Sequence, residues 1–330
     1  MSRAEFQLPP TGSLPFFTGA TTWLNSPPLA PPDLVGKVVL VNFWTYTCVN
    51  WLRTLPYVRA WAEKYKDYGL VVIGVHTPEF AFEHNIDNVE QAMKHTNITY
   101  PVVVDNNFII WNAFVNHYWP ALYFVDAQGR IRYHQFGEGE YEMSERVIQQ
   151  LLVEAGAKDL SNNLVSVEPK GAEVAADWES VESPETYLGY ERALSFNSFG
   201  DAAIGRRHSY SGLGPLSLNQ WTLSGDWTID ETAIMLHSAH GKIIFRFHAR
   251  DLNLVMGPVM RGGGAVPFRV QLDERPPRSA HGADTDDQGN GTVVEQRMYQ
   301  LVRQPKPITD RQFEIEFLAT GIEGLVFTFG

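Results

Sequence analysis

Residues 37–56 read Lys37-Val-Val-Leu-Val-Asn-Phe-Trp44-Thr-Tyr-Thr-Cys48-Val-Asn-Trp51-Leu-Arg-Thr-Leu-Pro56. The run from Lys37 to Trp44 is almost continuously apolar. A strand with one wet face alternates apolar and polar, so this one is expected to be covered on both faces. From Cys48 to about Lys66 the period changes to that of a helix, with Leu52, Leu55, Val58 and Trp61 on one side, and Gly69 ends it. The single cysteine of the sequence therefore stands where a buried strand turns into a helix.

That position has a chemical consequence. A thiol at a helix N-terminus meets unpaired backbone N–H groups and the positive end of the helix dipole, and both favour the thiolate. With an ordinary pKa near 8.5 only about 3% of a thiol is ionised at pH 7, and a pKa near 7 raises this to about half. The competing reading is a buried, inert cysteine behaving as a small hydrophobe.

The pattern continues outward from this stretch. Leu70 to His76 reads as a second buried strand, Phe80 to His95 as a helix, Val102 to Val104 as a short strand and Phe108 to Phe114 as a short helix. Ala121 to Val125 reads as a strand that turns at Gln128-Gly129 into Arg130 to Phe136, which is a hairpin signature. Tyr141 to Ala155 is an amphipathic helix stopped by Gly156. Strands alternating with helices predict a mixed sheet with helices on its faces.

The segment Phe43-Trp-Thr-Tyr-Thr-Cys48-Val49-Asn50-Trp51-Leu-Arg-Thr-Leu-Pro56 resembles the active-site segment of the thioredoxin superfamily. Pro56 falls where that family has a helix-kinking proline. Trp119-Pro120 falls just before a strand, where the family has a cis-proline beside the active cysteine. Phe-Trp-Thr-Tyr-Thr-Cys48, Arg53-Thr-Leu-Pro-Tyr57, Gly74-Val-His-Thr-Pro-Glu-Phe80, Tyr118-Trp-Pro-Ala121 and Phe136-Gly-Glu-Gly139 narrow the likeness to the soluble C-terminal portion of DipZ-type thiol-disulfide proteins. There a thioredoxin-like domain of the TlpA kind precedes a β-sandwich resembling carbohydrate-binding modules. Thr186-Tyr-Leu-Gly-Tyr-Glu-Arg192, Arg297-Met-Tyr-Gln-Leu-Val-Arg303 and Phe327-Thr-Phe-Gly330 extend the likeness through the second half.

Two departures bear on function. No segment of this sequence matches the family's membrane-spanning electron-transfer domain. The second active-site cysteine of the family is Trp51 here, so the Cys48-Val49-Asn50-Trp51 motif is incomplete. A resolving thiol normally attacks the mixed disulfide and releases product. Without one, Cys48 forms a mixed disulfide but cannot close the cycle internally.

Three readings follow. Cys48 is a monothiol centre whose mixed disulfide is resolved by glutathione or another external thiol. Alternatively, the domain is a redox-inactive binding module. Less favoured is a one-cysteine peroxidase: Thr45-x-x-Cys48 echoes the peroxiredoxin motif, but Val41 stands where its upstream proline would be. The resemblance implies Cys48 and Glu79 as catalytic candidates, since TlpA-like proteins direct a carboxylate at the cysteine from the place where Glu79 stands. Proton exchange with the thiol is its expected role, and a solvated turn residue is the alternative. Trp44, Trp51 and Trp119 are candidates for an aromatic rim that grips a partner, with Trp44 and Trp119 as substrate-binding residues. His76 and His117 lie nearby without metal-ligand spacing, and no cofactor or metal is called for.

After Ala157 the composition shifts. The expected division is a Pro-rich leader over 1–36 lying extended on a domain surface, a thioredoxin-like domain over 37–157, a linker over 158–185 and an all-β sandwich of jelly-roll type over 186–330. The last is argued from short β-rich runs separated by Gly and Pro: Trp221–Leu223, Ile234–Leu236, Lys242–Ala249, Leu252–Val255, Phe268–Leu272, Gln300–Val302, Gln312–Leu318 and Leu325–Phe329. Trp178, Trp221, Trp227, Tyr187 and Tyr190 are sugar-stacking candidates on fold analogy, though packing is the commoner use of such rings. Asp284-Thr-Asp286-Asp287-Gln288-Gly289-Asn290-Gly291 has calcium-loop spacing but no flanking helices, and an acidic interstrand loop is the better reading. Arg261-Gly-Gly-Gly264 is too loose for a phosphate loop.

Composition sets the remaining bounds. The chain has 330 residues, 44% hydrophobic and 19% charged, enough for about two cored domains. A net charge of -12 disfavours nucleic acid and anionic membranes as partners. A protein or low-molecular-weight thiol or disulfide is the expected substrate, and a carbohydrate ligand has only analogy behind it. No apolar run approaches the roughly 18 residues that span a bilayer. With one cysteine, no internal disulfide demands an oxidising compartment, which predicts a cytoplasmic protein if the sequence is complete, or an extracytoplasmic one if a signal or anchor was removed.

Overall fold

The computed structural model describes residues 7–197, 203–212, 214–260, 262 and 264–330. It divides into two compact units that meet at Glu173 and Val174, inside the expected linker.

The first unit is a thioredoxin fold. Its elements are β1 (Gly12–Ser13), β2 (Thr22–Leu24), α1 (Pro31–Leu34), β3 (Val38–Trp44), α2 (Val49–Tyr65), β4 (Leu70–His76), α3 (Ile86–His95), β5 (Val102–Val104), α4 (Ile109–Ala113), β6 (Ala121–Val125), β7 (Arg130–Phe136) and α5 (Tyr141–Glu154). The sheet order is β1-β7-β6-β3-β4-β5-β2. Strand β3 is central, parallel to β4 and antiparallel to β6, and every residue of it is buried.

Successive side chains of a strand point to opposite faces, so a central strand must feed two cores. Val38, Leu40 and Trp44 join one core, with Leu55, Val58, Trp61 and Tyr65 of α2 and Val147, Ile148, Leu151 and Leu152 of α5. Val39, Val41 and Phe43 join the other, with Ile110 and Trp111 of α4. This double burial is why β3 carries no alternation. Gly74 on β4 serves the same packing. A Cβ there would lie 2.9 Å from Trp44 Nε1, so the absent side chain makes room for the indole.

Two expectations are corrected. Residues 7–36 do not simply lie on the surface. Gly12 and Ser13 pair with β7, and Thr22 to Leu24 pair with β5, so this segment supplies both edges of the sheet. The helix expected from Phe80 starts later. Ala81–His84 is a 3₁₀ turn, and Asn85, extended at φ -77° and ψ 117°, accepts the Asp87 N–H and starts α3 afresh. Asparagine competes for backbone donors in this way and so favours N-caps over helix interiors.

The second unit is all-β: β8 (Thr186–Tyr187), β9 (Arg207–Ser211), β10 (Trp221–Ile229), β11 (Ile234–Leu236), β12 (Gly241–Phe247), β13 (Asp251–Pro258), β14 (Val266–Leu272), β15 (Asn290–Val293), β16 (Arg297–Arg303), β17 (Arg311–Phe317) and β18 (Ile322–Phe329). Along the sheet, β17, β12, β10, β11 and β18 follow one another. Yet Phe313 of β17 and Phe327 of β18 have ring centroids 5.8 Å apart, and Phe245 of β12 lies 5.2 Å from Phe327. Rings on non-adjacent strands meet only if the sheet folds over into two layers around a shared core, which is the expected sandwich. Strands β8, β9 and β15 lack the apolar run that marks the others in the sequence.

Candidate functional site

Cys48 is the N-cap of α2, with extended backbone at φ -73° and ψ 113°. It is half-buried, and its Sγ–H donates to the Trp119 carbonyl oxygen at 3.6 Å. Trp119–Pro120 is a cis peptide bond, so the proline loop expected beside the sulfur is there. The loop is held from three sides. Trp119 Nε1 donates to the Thr77 carbonyl at 3.1 Å, its ring lies 4.4 Å from that of Trp111, and the Pro120 carbonyl accepts the Gly137 N–H at 2.9 Å.

Trp51, in the place of a second thiol, is fully buried. Its ring stacks on Trp44 at 4.5 Å and 24°, and its Nε1 donates to Asn42 Oδ1 at 3.3 Å. Trp44 is fully buried too. Both are core residues, so the expected aromatic rim loses two of its three members. Both point inward because one faces the sheet from α2 and the other faces α2 from the sheet. Trp119 remains half-buried beside the sulfur. Tyr118 and Phe136, with ring centroids 5.1 Å apart, are the exposed aromatics next to it. Val49 is buried and Asn50 half-buried; the Asn50 carbonyl accepts the Thr54 hydroxyl at 2.9 Å.

Glu79 is half-buried, and its backbone N–H donates to Glu83 Oε2 at 2.6 Å. Glu83 is the residue that sequence reasoning missed. It is fully buried and reaches the turn before the cysteine, where Thr47 donates its hydroxyl to Oε1 at 2.6 Å. Its Oε2 also accepts the Phe80 N–H at 2.9 Å. Burial pushes its carboxyl up to about 7, against the pull of the Thr47 and Phe80 donors. The available signal was a carboxylate three residues after Phe80, which is capping-box spacing for a turn.

His76 is fully buried, edge-on to Trp44 at 4.8 Å, with both ring nitrogens unpartnered among the described residues. Burial holds it down at about 3, so it is neutral. His117 is exposed. Among the described residues no group of His, Cys, Asp or Glu side chains is arranged to hold a metal ion.

In the second unit, Trp221 and Trp227 are fully buried core residues, which removes them as sugar-stacking candidates, while Trp178 and Tyr190 are exposed. The Arg192 guanidinium covers the Tyr187 ring at 3.4 Å. In the acidic loop, Asp284 pairs with Arg297 at 2.6 Å and accepts the Gln300 N–H at 2.8 Å. Asp286 accepts the N–H groups of Gln288 and Asn290 at 2.9 and 2.8 Å. These carboxylates shape the loop. Arg261 and Gly263 of the glycine run lie outside the described residues.

A thioredoxin fold with a half-buried cysteine capping its first long helix beside a cis-proline loop defines a protein of the thioredoxin-like class. Comparisons with known proteins agree. The family described as "AhpC/TSA family" matches residues 22–134, and the one described as "Thioredoxin like C-terminal domain" matches 183–330. Protein DipZ of Mycobacterium tuberculosis (strain CDC 1551 / Oshkosh) is 37% identical over 260 residues, which is 76% of this chain and 36% of that protein. Thiol-disulfide oxidoreductase YkuV of Bacillus subtilis (strain 168) is 31% identical over 142 residues, 43% of this chain and 95% of that protein. A solved thioredoxin-like protein in the oxidised form is 30% identical, covering 43% of this chain and 96% of its own, with a TM-score of 0.40. The chain belongs to the thioredoxin superfamily and is DipZ-like, spanning 36% of the length of DipZ. No helix among the described residues is long and apolar enough to cross a membrane.

Proposed function

We propose that this protein performs monothiol thiol-disulfide chemistry through Cys48. The observation that carries the reading is the pairing of a half-buried Cys48 at the α2 N-cap with a fully buried Trp51 where a second sulfur would stand. The Cys48 thiolate attacks one sulfur of a protein or low-molecular-weight disulfide. That S–S bond breaks, the other sulfur leaves as a thiolate and takes a proton from water, and Cys48 is left in a mixed disulfide. An external thiolate, such as that of glutathione, then attacks the sulfur joined to Cys48 and releases it. Trp119, Tyr118 and Phe136 supply the surface against which a substrate chain lies.

The test is mass spectrometry after incubation with oxidised glutathione. One glutathione per chain, removed by dithiothreitol, supports the reading. A Cys48 that resists modification until the chain unfolds overturns it in favour of a redox-inactive binding module. The AhpC/TSA match favours a second reading, in which the thiolate takes an oxygen from hydrogen peroxide to give sulfenic acid and hydroxide. Faster reaction with peroxide than with disulfide selects it.

A further inference from the structure

Deepening the monothiol reading, and resting on it, we propose that Glu83 is a positioning residue for Cys48: its carboxylate pins the turn that presents the sulfur to the loop that follows β4. Two segments far apart in sequence converge on one side chain. From the β3–α2 turn, Thr47 donates its hydroxyl to Oε1 at 2.6 Å. From the β4–α3 connection, the N–H groups of Glu79 and Phe80 donate to Oε2 at 2.6 and 2.9 Å. Thr47 is itself fully buried and directly precedes Cys48. The same β4–α3 connection begins at Thr77, whose carbonyl holds the Trp119 indole at 3.1 Å. One carboxylate thus fixes the cysteine turn to the loop that also anchors the tryptophan whose carbonyl faces the sulfur.

Both oxygens are occupied, so the clamp needs two acceptors. An ionised carboxylate has them; a protonated acid or an amide keeps one acceptor for the Glu79 and Phe80 N–H groups but turns a donor toward Thr47, so the buried hydroxyl must accept instead and its own proton loses its acceptor. Protonation therefore loosens the clamp, and burial places that event at about pH 7. Glu79, the neighbouring carboxylate, adds to the upward push, and buried His76 on β4 stays neutral above about pH 3. Thr45 and Thr47 of the facing turn do not titrate in this range. Loosening lets Cys48 leave the helix N-terminus that favours its thiolate.

The experiment is the rate of Cys48 alkylation by iodoacetamide from pH 5 to pH 9, with circular dichroism confirming the fold, on the full chain and on Glu83→Gln, Thr47→Val and Thr47→Ser. In the unaltered protein the rate is expected to fall below pH 7 more steeply than one thiol ionisation allows. Glu83→Gln should follow a single ionisation, and Thr47→Val should react about threefold more slowly at pH 7, while Thr47→Ser keeps the original profile. Folded Glu83→Gln and Thr47→Val proteins that both keep the original rate and profile overturn the proposal. If Glu83→Gln does not fold, the Thr47→Val and Thr47→Ser pair decides it, and equal rates for the two overturn it. A Cys48 inert in the unaltered folded protein sinks the monothiol reading and this proposal together, a result distinct from reactivity that Glu83 does not influence.

Discussion

Trp51 stacks on Trp44 with ring centroids 4.5 Å apart, and the indole that occupies the second active-site position thereby belongs to the core. The residue that removes the resolving thiol is also a packing residue, which couples redox capacity to stability at one site.

Replacing it tests this coupling. Trp51→Cys recreates a Cys-x-x-Cys pair across one helical turn, where two sulfurs reach bonding distance. The variant is expected to form an internal disulfide and gain insulin-reducing turnover that the original protein should lack. Removing a fully buried indole should cost about 3–5 kcal/mol, read as a lower denaturant midpoint. Unchanged stability would show that the stack contributes nothing.

Cys48→Ser separates the thiol from the scaffold. The hydroxyl variant should keep the fold and take up no glutathione from the oxidised form, whereas the original protein should take up one per chain. Uptake by the serine variant would mean that the label is not on the sulfur.

Stability should respond to pH through two buried groups of opposite sign. Glu83 keeps its proton up to about pH 7 in the folded state, but gives it up near 4.5 when unfolded. Over that window the folded state binds more protons, so its stabilising effect falls as pH rises, by on the order of 3 kcal/mol. His76 titrates at about 3 when folded and near 6.5 when unfolded. There the unfolded state binds more protons, so stability rises with pH from about 3 to 6.5. Glu83→Gln should flatten the fall toward pH 7, and His76→Phe should move acid unfolding to lower pH. Urea midpoints across pH 3–8 check both slopes, and parallel curves for variant and original would contradict them.

Arg53 of α2 pairs with Glu138 at 2.9 Å, with side chains 2% and 9% exposed. Removing one partner of a buried pair strands the other charge, which typically costs about 3–5 kcal/mol. Burial already holds the Glu138 carboxyl above its ordinary value, with the Arg53 charge pulling it down. Arg53→Met should therefore destabilise strongly, and adding Glu138→Gln should recover much of the loss. A double variant no better than Arg53→Met alone would refute the pairing argument.

The sequence by itself determined the frame: a strand buried on both faces, a cysteine at the mouth of a helix, a tryptophan in place of the partner thiol, and a β-only second half. These are local properties, written in the apolar period of a few consecutive residues. What only the tertiary structure decided are the relations between distant segments. Residues 12–13 and 22–24 become sheet edges because their partners, Ile131 with Arg130 and Val102 to Val104, lie far along the chain. Trp44 leaves the rim for the core because Gly74, on the neighbouring strand, leaves it space. The contact of Glu83 with the cysteine turn was not local either: it and Glu79 are two carboxylates on one connection. Both follow β4, but Asn85 breaks the expected helix, and the 3₁₀ turn before it carries Glu83 to Thr47, 36 positions away. A carboxylate is buried only where donors already wait for it, and the chain assembles those donors only when it folds.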